Sequence, residues 1–467
     1  MAAQLPVIAL IGRPNVGKST LFNALTHTRD ALVANQPGLT RDRQYGFCEA
    51  GGRRCIVVDT GGIGDDVDVL ASLTERQSLQ ALEEADIVLF MVDVREGLTG
   101  ADETVMQLLR KSGKKAHLVI NKAEGRTTEI AATEFHRLGM ADPYVISASH
   151  GQGVAAMLRE LIDGLPPETE NEGLPDDGGL RVAIVGRPNV GKSTLVNRLL
   201  GEERVMTADY PGTTRDSISI AFERDGRKYT LVDTAGVRRR SKVSDMVEKF
   251  SIIKTLQAID QANVVVMMTD AKQDIGMQDA RLLGLVADSG RAVVLAVNKW
   301  DGLDNKARSR VKAELDRRLP FIDYAEVRTI SALHGSGLAE LFEAVNAAHA
   351  AAMTDLSTPE LTRVLEQAVS EHQPPTVSGR RIKLRYAHQG GHNPPQIIIH
   401  GNQTDQVPES YRRFLEHRFR KVFKLHGTPV KLYFKTGENP FKGRRNKLTP
   451  RQEHARRRLK RVMKKKK

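Results

Sequence analysis

Two stretches of the chain share one pattern of apolar and polar positions. VIALI at 7–11 leads into GRPNVGKST at 12–20, and VAIV at 182–185 leads into the same nine residues at 186–194. A short apolar run bounded by a glycine-rich segment is typical of a buried strand that ends in a loop. A helix is expected after each loop. The pattern predicts two α/β domains with mostly parallel sheets.

The similarity between these stretches continues along the chain in the same order. Gly12 and Gly186 are 174 residues apart, and the same offset relates QPGLTRD to YPGTTRD and VVDTGG to LVDTAG. Farther on, NKAE at 121–124 corresponds to NKWD at 298–301, and SASHG corresponds to SALHG. Five blocks repeated in one order indicate an internal duplication.

A different pattern begins after the second copy. STPELTRVLEQAV at 357–369 places Pro359 in the first turn of a helix, after a Ser or Thr cap. The apolar residues of this segment follow helical spacing and form one stripe: Leu361, Val364, Leu365, Ala368 and Val369. The segment therefore predicts an amphipathic helix.

Strands and one more helix are predicted in the rest of this region. RIKLRYA alternates Ile382, Leu384 and Tyr386 with basic residues, the pattern of a half-buried strand. QIIIH and PVKLYFK predict two further strands. VPESYRRFLEHRFRKVF predicts a helix with four inward residues: Phe414, Leu415, Val422 and Phe423. The order α-β-β-α-β predicts a small α+β domain.

The glycine-rich segments satisfy the pattern G-x-x-x-x-G-K-[ST] of a phosphate-binding loop. Its glycines let consecutive backbone N–H groups point at phosphate oxygens, and the following helix presents its positive end to the same anion. Lys18 and Lys192 are expected to reach the β- and γ-phosphates, while Ser19 and Ser193 place a hydroxyl on Mg²⁺.

The blocks downstream are typical of a GTPase. Thr40 and Thr214 lie in loops punctuated by glycine and proline, from which a threonine completes the Mg²⁺ shell when the γ-phosphate is present. Asp59 and Asp233 end apolar strands, from which a carboxylate holds the metal through water. After each aspartate, a glycine is expected to offer its backbone N–H to the γ-phosphate: Gly62 in the first copy and Gly236 in the second. The loop that contains this glycine can therefore order and disorder with hydrolysis.

Guanine is the predicted base. In LAVNKWD, Asp301 can accept hydrogens from both N1 and the exocyclic N2 of guanine, a pairing that adenine cannot make. Ser331 and Ala332 are expected to close over the base with a backbone contact. The first copy has Glu124 in place of the aspartate, so its carboxylate lies one methylene farther out. Guanine remains its expected ligand, with a different affinity or selectivity.

The repeated sequence blocks predict where the domains of the chain begin and end. We expect P-loop nucleotide-binding (G) domains at 1–165 and 180–352, joined by a linker at 166–179 that contains five carboxylates, three prolines and three glycines but no basic residue. The α+β domain covers 357–441, and a basic tail covers 442–467. A length of 467 residues fits about three domains.

The charge of the chain is concentrated at its end. The net charge is +13, and residues 442–467 alone carry 14 Lys or Arg against the single Glu453. Segment 357–441 carries +6, so residues 1–356 sum to −6. An acidic front and a basic rear indicate that a polyanion meets the C-terminal end. A solvated, disordered tail is the alternative interpretation.

Other features exclude several classes of protein. No run reaches the roughly 18 apolar residues of a membrane span, and the N-terminus lacks the features of a signal peptide. Cys48 and Cys55 are too few for a disulfide framework or a zinc site. We expect two free thiols without a special role, a cytoplasmic location, no integral membrane segment and a monomer.

The blocks resemble those of the TRAFAC GTPases, and the whole chain resembles the EngA/Der family of double GTPases. The tandem GRPNVGKST, PG[LT]TRD and DT[GA]G motifs carry this resemblance over nearly all 467 residues. It implies two tandem G domains followed by a KH-like domain. It also implies an essential bacterial factor in late assembly of the large ribosomal subunit, which binds ribosomal RNA in a nucleotide-dependent way.

The resemblance also bears on catalysis. Many GTPases have a glutamine after DTGG or DTAG that orients the attacking water, whereas this chain has Ile63 and Val237. Asn15 and Asn189 match an asparagine that coordinates K⁺ beside the phosphates in similar GTPases. Such a cation compensates the charge that develops in the transition state. We expect slow intrinsic hydrolysis, faster in K⁺ than in Na⁺; the alternative is that the asparagines only shape the loop.

The predicted site residues form three sets. GTP or GDP is expected to contact, in the two copies, Gly12, Arg13, Pro14, Asn15, Val16, Gly17, Lys18, Ser19, Thr20, Asp59, Thr60, Gly61, Gly62, Ile63, Asn121, Lys122, Ala123, Glu124, Ser147 and Ala148, and Gly186, Arg187, Pro188, Asn189, Val190, Gly191, Lys192, Ser193, Thr194, Asp233, Thr234, Ala235, Gly236, Val237, Asn298, Lys299, Trp300, Asp301, Ser331 and Ala332. The catalytic set is Asn15, Lys18, Thr40, Gly62, Asn189, Lys192, Thr214 and Gly236. The Mg²⁺ set is Ser19, Thr40, Asp59, Ser193, Thr214 and Asp233.

Binding to RNA is expected through the basic end. The GXXG loop that clamps nucleotides in ordinary KH domains is absent from 357–441. Contact with RNA is expected through the tail and through surface arginines, and it would be made mainly to phosphate. The surface arginines are Arg380, Arg381, Arg412, Arg413 and Arg420. Two rival hypotheses remain open. One is a membrane-associated signalling GTPase whose tail binds anionic lipid; the other is a protein in which one G domain turns over little GTP.

Overall fold

The structure is a computed structural model that describes residues 5–26, 44–60, 82–125, 132–140, 142–165, 179–202, 204–206, 219–232, 252–377 and 380–436. Several predicted site residues lie outside these ranges: Thr40, Gly61, Gly62, Ile63, Thr214, Asp233, Thr234, Ala235, Gly236 and Val237. Most of the acidic linker and all of the basic tail also lie outside them.

The first α/β domain contains a six-stranded sheet in the order β2-β3-β1-β4-β5-β6. Its strands are β1 (Val7–Ile11), β2 (Gln44–Ala50), β3 (Arg53–Asp59), β4 (Ile87–Asp93), β5 (Ala116–Asn121) and β6 (Tyr144–Val145), and its helices are α1 (Lys18–Thr26), α2 (Gly100–Ser112) and α3 (Val154–Asp163). Only β2 pairs antiparallel. Every residue of β1 and β4 is buried, as expected for central strands with both faces covered.

The second α/β domain repeats this arrangement with one more strand, in the order β13-β12-β11-β7-β10-β9-β8. Its strands are β7 (Leu180–Gly186), β8 (Arg204–Met206), β9 (Ile220–Arg224), β10 (Arg227–Val232), β11 (Val264–Asp270), β12 (Ala292–Asn298) and β13 (Glu326–Thr329). Its helices are α4 (Lys192–Glu202), α5 (Ile252–Gln261), α6 (Met277–Ser289), α7 (Asn305–Arg318) and α8 (Leu338–Ala352). The predicted α/β fold with two mostly parallel sheets is confirmed.

The two α/β domains contact each other through β2 and β3. Arg54 of β3 forms an ion pair with Asp260 of α5, and Asp260 also pairs with Arg291 at 3.2 Å. The guanidinium of Arg281 lies 5.9 Å from the ring centroid of Tyr45. The domains therefore share a partly buried, charged contact.

Contacts between Cα atoms divide the chain into two compact units. One consists of Met1–Thr354, Gly391–Pro395 and Arg420–Lys431; the other consists of Asp355–Gly390, Gln396–Phe419 and Leu432–Lys467. Both α/β domains fall in the first unit.

The third domain has the predicted order of elements, with one short hairpin in addition. Helix α9 (Thr358–Glu371) is followed by a short hairpin, β14 (Thr376–Val377) and β15 (Arg380–Arg381), and then by β16 (Lys383–Gly391), β17 (Gln396–Asn402), α10 (Glu409–Phe423) and β18 (Lys431–Thr436). The sheet order is β16-β17-β18. Helix α9 begins after Ser357 with proline in its first turn, as predicted, and buries Leu361, Val364, Leu365 and Ala368. The predicted α+β fold is confirmed.

Two details of the predicted pattern in this domain were wrong. Tyr386, expected on the buried face of its strand, is 43 % exposed, and Ala387 is buried instead. The alternation breaks within β16, where the consecutive residues Arg385 and Tyr386 are both exposed. In α10, Val422 is 43 % exposed, whereas Phe419 is fully buried. The helical stripe runs through Tyr411, Leu415 and Phe419, which are spaced four residues apart.

The expectation of two free thiols was also wrong. Cys48 and Cys55 form a disulfide. They are directly paired across the antiparallel strands β2 and β3, with Cα atoms 5.3 Å apart, a separation within the usual range for a disulfide. A count of cysteines does not reveal this pairing, because it depends on the register of the hairpin.

Within the described part of the chain, no helix combines the length and the apolar character that crossing a membrane requires.

Candidate nucleotide-binding sites

The phosphate-binding loops connect β1 to α1 and β7 to α4, and the following lysine is held in the same way in both. Lys18 Nζ donates to the carbonyls of Gly12 at 2.9 Å and Arg13 at 2.7 Å. Lys192 Nζ donates to Gly186 and Arg187 at 2.9 and 2.8 Å. Lys18 is 5 % exposed, and burial is the main cause that lowers its pKa to about 8. A desolvated ammonium in this position favours an anion beside it.

Glycine is required at one position of each loop by a close approach. Gly17 has φ 97° and Gly191 has φ 104°, in the region that favours glycine. A Cβ atom at either position would collide with the side-chain nitrogen of Asn121 or Asn298. The loop can therefore lie against the next motif only because this residue has no side chain.

Those two asparagines connect the phosphate end of each site to its base end. Asn121 Nδ2 donates to the Val16 carbonyl at 2.9 Å, and its Oδ1 accepts from the backbone N–H of Ala148 at 3.0 Å. Asn298 makes the same two bonds, to Val190 at 2.7 Å and from Ala332 at 2.9 Å. Each asparagine is at most 3 % exposed. Each asparagine thus holds together the phosphate loop, the NKxE or NKxD motif and the SA motif (Ser147 and Ala148, or Ser331 and Ala332).

The lysine of the same motif adds a second connection. Lys122 Nζ donates to the Asn15 carbonyl at 2.9 Å and lies 2.6 Å from Asp93 Oδ2. Lys299 does the same with Asn189 at 3.2 Å and Asp270 at 2.6 Å. Asp93 and Asp270 are absent from the predicted site. The sequence could have revealed them, because Asp93 ends the apolar strand β4 and Asp270 ends the corresponding apolar strand β11.

A further carboxylate that the sequence analysis missed orients the arginine of each loop. Arg13 Nε lies 3.3 Å from Asp102, and Arg187 Nε lies 2.7 Å from Asp279. Both aspartates are fully buried, in the first turns of α2 and α6. Burial raises the pKa of Asp279, and the charge of Arg187 opposes this increase. These pairs hold the arginine of each loop against helix α2 or α6.

The structure also brings together two predicted ligands of Mg²⁺. Ser19 Oγ donates to Asp59 Oδ2 at 2.7 Å, and Asp59 is 2 % exposed. Thr60, beside it, donates through its hydroxyl to the Leu10 carbonyl at 2.8 Å. Asp233, the corresponding residue of the second domain, lies outside the described ranges.

At the base end of the first site, Glu124 has several partners. Its Oε1 accepts from Ser147 Oγ at 2.6 Å and from Ser149 Oγ at 3.2 Å, and its Oε2 accepts from Arg95 at 2.9 Å. The bond from Ser147 is the main cause that lowers the pKa of Glu124 to about 2. The carboxylate is therefore ionised, but a guanine would share Oε2 with the Arg95 guanidinium.

Asp301 of the second site has the same serine and histidine neighbours. A bond from the Ser331 side chain is the main cause that lowers its pKa, and His334 Nε2 lies 3.4 Å from Oδ2, as His150 Nδ1 lies 3.4 Å from Oε1 of Glu124. Lys272, which has the place of Arg95 in the repeat, lowers this pKa only through its charge, as a lesser cause. The two copies thus present an ionised carboxylate of different length and with different cationic neighbours.

We expect Arg95→Ala to strengthen guanine-nucleotide binding at the first site by about two- to fivefold, the usual worth of an exposed ion pair. The substitution leaves Oε2 of Glu124 available to the base. The measurement is titration with a fluorescent GDP analogue in the Lys192→Ala background, which weakens the second site. Lys272→Ala, measured in the Lys18→Ala background, is the matched control and should change the Kd of the second site by less than that. Weaker binding after Arg95→Ala would mean that the guanidinium itself contacts the nucleotide.

Comparison with known families covers most of the chain. The family model described as a 50S ribosome-binding GTPase matches residues 7–122 and 181–299, once in each α/β domain. A second model, described as the C-terminal KH-domain-like region of EngA bacterial GTPase enzymes, matches residues 356–435.

Three curated relatives match nearly the whole chain. GTPase Der of Thioalkalivibrio sulfidiphilus is 58 % identical over 467 residues, which cover 99 % of this chain and 100 % of the relative. GTPase Der of Legionella pneumophila (strain Corby) is 55 % identical over 464 residues, with the same coverage. GTPase Der of Marinobacter nauticus is 56 % identical over 456 residues, which cover 96 % of this chain and 95 % of the relative.

Proposed function

We infer the function from one premise: the chain belongs to the EngA/Der family of double GTPases, and it hydrolyses GTP to GDP and phosphate. The observation that supports two working sites is the repeated connection between loop and base motif. Asn121 and Asn298 each bind the phosphate loop with one end of their carboxamide and the SA motif with the other. A nucleotide that binds between these motifs meets the same pre-organised groups in both domains.

The proposed role is that of a switch in assembly of the large ribosomal subunit, through nucleotide-dependent binding to ribosomal RNA. The description of the G-domain family as 50S ribosome-binding supports this partner. The charge distribution also supports it, because the positive charge lies in residues 357–467. RNA is a polyanion, so binding through this region should weaken as salt increases.

The five arginines proposed to contact RNA differ in their surroundings. Arg420 pairs with Asp323 at 2.6 Å, and Arg412 lies 5.1 Å from the Phe434 ring centroid. Arg413 is exposed beside Glu409, and Arg381 is exposed on β15. Of these four arginines, Arg381 and Arg413 are the better candidates for phosphate contact, because both are exposed, whereas Arg412 and Arg420 are half-buried.

Mg²⁺ fits the first site on the evidence of its oxygen atoms. The Ser19 hydroxyl and the Asp59 carboxylate are in hydrogen-bond contact at the start of α1, and Mg²⁺ binds through one or two such oxygens together with substrate phosphates. Ser19, Thr40 and Asp59 would hold the ion in the first site; Ser193, Thr214 and Asp233 would hold it in the second. When bound, Mg²⁺ neutralises charge on the β- and γ-phosphates.

The chain itself contributes charge and orientation. Lys18 and Lys192 place an ammonium where negative charge increases between the β- and γ-phosphates, and the backbone N–H groups of each loop donate to the same oxygens. Gly62 and Gly236 would donate to the γ-phosphate, which links the order of their loops to hydrolysis. The base is fixed at the other end by Asp301 or Glu124.

The charged contact between the α/β domains offers a route from one site to the other. Asp260, the partner of Arg54, lies near the end of α5. Helix α5 begins at Ile252, downstream in sequence of the DTAG motif of the second site. A displacement of α5 would therefore act on β3 of the first domain through Asp260 and Arg54. This arrangement supports a switch in which the two sites are coupled.

K⁺ is the proposed activating ion, held with the help of Asn15 and Asn189. Both residues have φ 65°, a left-handed conformation that asparagine tolerates better than most residues. This conformation also fits the alternative in which the side chain only shapes the loop. Glycine separates the two roles, because it adopts the same φ without a carboxamide.

We expect Asn189→Gly to remove most of the K⁺ stimulation of the second site while the loop keeps its shape. The measurement is GTP turnover in K⁺ and in Na⁺ for the Lys18→Ala protein with and without Asn189→Gly. Unchanged K⁺ stimulation would assign the asparagine to loop shape alone. Equal rates of the wild-type protein in both salts would overturn the activation by K⁺ itself.

The proposed role is tested by co-sedimentation of the full chain with purified ribosomal subunits. We expect binding to the large subunit with a non-hydrolysable GTP analogue, and weaker binding with GDP or without nucleotide. A chain truncated before Lys442 should bind less tightly and with a smaller dependence on salt. Absence of subunit binding in every nucleotide state at low salt would overturn the ribosomal role but not the GTPase, and binding to anionic vesicles would then favour the membrane alternative.

A further inference from the structure

The three-stranded sheet of the third domain has two different faces. On one, Arg412 of α10 lies over the ring of Phe434. The buried residues Ala387, Ile397, Ile399 and Leu432 belong to this side. Since side chains alternate along a strand, their neighbours in sequence lie on the opposite face.

The opposite face carries a cluster of aromatic rings. The rings of Tyr386 and His400 are stacked, with centroids 4.5 Å apart and an interplanar angle of 4°. His388 is stacked on His400 at 5.1 Å with an angle of 26°. Tyr386 and His388 come from β16, and His400 comes from the central strand β17. We call these three residues the ring cluster.

The ring cluster is open at one end. Tyr386 is 43 % exposed, and Tyr433, which alternates with buried Leu432 on β18, is 45 % exposed. Tyr411 of the same domain behaves differently: it is 4 % exposed, and its hydroxyl donates to the His372 carbonyl at 2.7 Å. A tyrosine that serves only to fill a core is buried and hydrogen-bonded in this way. Tyr386 instead presents an aromatic surface to solvent.

The strands that carry the ring cluster contain basic residues but no acidic ones. The segments 380–402 and 431–436, which supply the whole sheet, contain no Asp or Glu and six Lys or Arg. Lys435 is exposed, and its charge is one of the causes that lower the pKa of His400, after burial and the charge of His388. His400 is therefore a neutral ring at pH 7, with a positive charge near it.

One polar atom of the cluster also lacks a partner in the part of the chain that the structure describes. His400 Nε2 is buried and has no hydrogen-bond partner among those residues. A buried ring nitrogen without a partner is unfavourable. A ligand that carries hydrogen-bond donors and acceptors on a flat ring would supply a partner for Nε2 after a small rotation of the His400 ring.

We propose that Tyr386, His388 and His400 form a stacking platform for unpaired bases of single-stranded RNA, with Lys435 beside it for phosphate. Flat aromatic faces next to positive charge, on the open face of a sheet, suit bases that have left a duplex. The platform would supply the base contact that a GXXG loop does not make here, since 357–441 lacks that motif. This inference rests on the proposed function, because it makes unpaired ribosomal RNA the ligand.

The test uses the full chain and a short oligouridylate that contains one 2-aminopurine. We expect the wild-type protein to quench the fluorescence of 2-aminopurine as the base stacks, and to bind the same probe poorly within a duplex. Tyr386→Leu should raise the Kd for the single strand by about 5- to 150-fold, the range for loss of one base–aromatic stack. Tyr386→Phe is the matched control, since it keeps the ring, and it should bind as the wild type does.

Salt dependence separates stacking from charge. Tyr386→Leu should leave the slope of log Kd against log salt unchanged, whereas Lys435→Gln should reduce its magnitude by about 0.7, the value for one phosphate contact on a single strand. The basic tail contributes the same background to every variant. Thermal unfolding and GTP turnover of each variant should match the wild type, which excludes a loss of fold.

Several outcomes would overturn the platform. These are equal affinity of Tyr386→Leu and the wild type, quenching that persists in Tyr386→Leu, or equal binding of single strand and duplex. Such results leave the proposed function standing if the wild-type protein still co-sediments with the large subunit in the GTP-analogue state. Loss of that co-sedimentation in the wild type is the separate result that would remove the proposed function.

Discussion

Lys192→Ala is expected to lower GTP turnover at the second site by about 10²- to 10³-fold, and Lys18→Ala is expected to do the same at the first. Each ammonium is held at the end of its loop by two carbonyl groups, at 2.7–2.9 Å in the first site and 2.8–2.9 Å in the second. The loss should be large because the charge acts where negative charge develops in the transition state. Alanine leaves the loop backbone intact but removes this stabilisation.

The measurement is phosphate release by each single variant and by the double variant, under single-turnover conditions. The residual rate of each single variant then reports the other site, and the double variant should be nearly inactive. Lys306→Ala, an exposed lysine on α7, is the control and should turn over GTP at the wild-type rate. If one single variant keeps the full rate, the corresponding domain binds nucleotide without contributing turnover, as the hypothesis of one inert domain requires.

The second large effect is expected from Asp301→Asn, which should weaken GTP binding at the second site by about 10²- to 10⁴-fold. Two bonds from guanine, from N1 and from the exocyclic N2, end on this carboxylate, and bonds to a charged acceptor are among the stronger ones in proteins. Asparagine offers one acceptor and one donor, so its N–H₂ would face the N2 amino group of guanine. Xanthine has a carbonyl oxygen at that position and fits the amide.

The measurement is therefore a pair of Kd values, for GTP and for xanthosine triphosphate, in the Lys18→Ala background. We expect the variant to lose GTP and to gain xanthosine triphosphate. Asp316→Asn, the same change on an exposed residue of α7, should alter neither value. If Asp301→Asn lowers both affinities equally, the carboxylate acts through the loop that contains Ser331 and not through the base.

Comparison of the two domains explains why the effect should be larger at Asp301 than at Glu124. Glu124 already accepts from Ser147, Ser149 and Arg95. A guanine there would replace part of an existing set of bonds, so the net gain is smaller. The sequence shows that Glu124 is longer than aspartate, but it does not show that Arg95 donates to Oε2 of Glu124.

The chemical identity of the sites could be predicted from the chain alone, because it depends on short segments. A phosphate loop needs glycines, a lysine and a hydroxyl within nine residues, and GRPNVGKST contains them twice. The order of the downstream blocks then distinguishes GTP from ATP. The predicted α/β domains and the order α-β-β-α-β were confirmed for the same reason, since apolar period and helix-capping residues act over a few positions.

Tertiary structure decided the features that depend on which elements become neighbours. Asp93 and Asp102 enter the first site because β4 and α2 lie beside the loop, although they are about 80 and 90 residues away in sequence. Cys48 and Cys55 pair because of hairpin register, and Tyr386 faces outward because the alternation breaks within β16. Local chemistry is thus written in the sequence, whereas strand register and long-range packing set the partners of each group, because a shift of one residue moves every side chain of a strand to the other face.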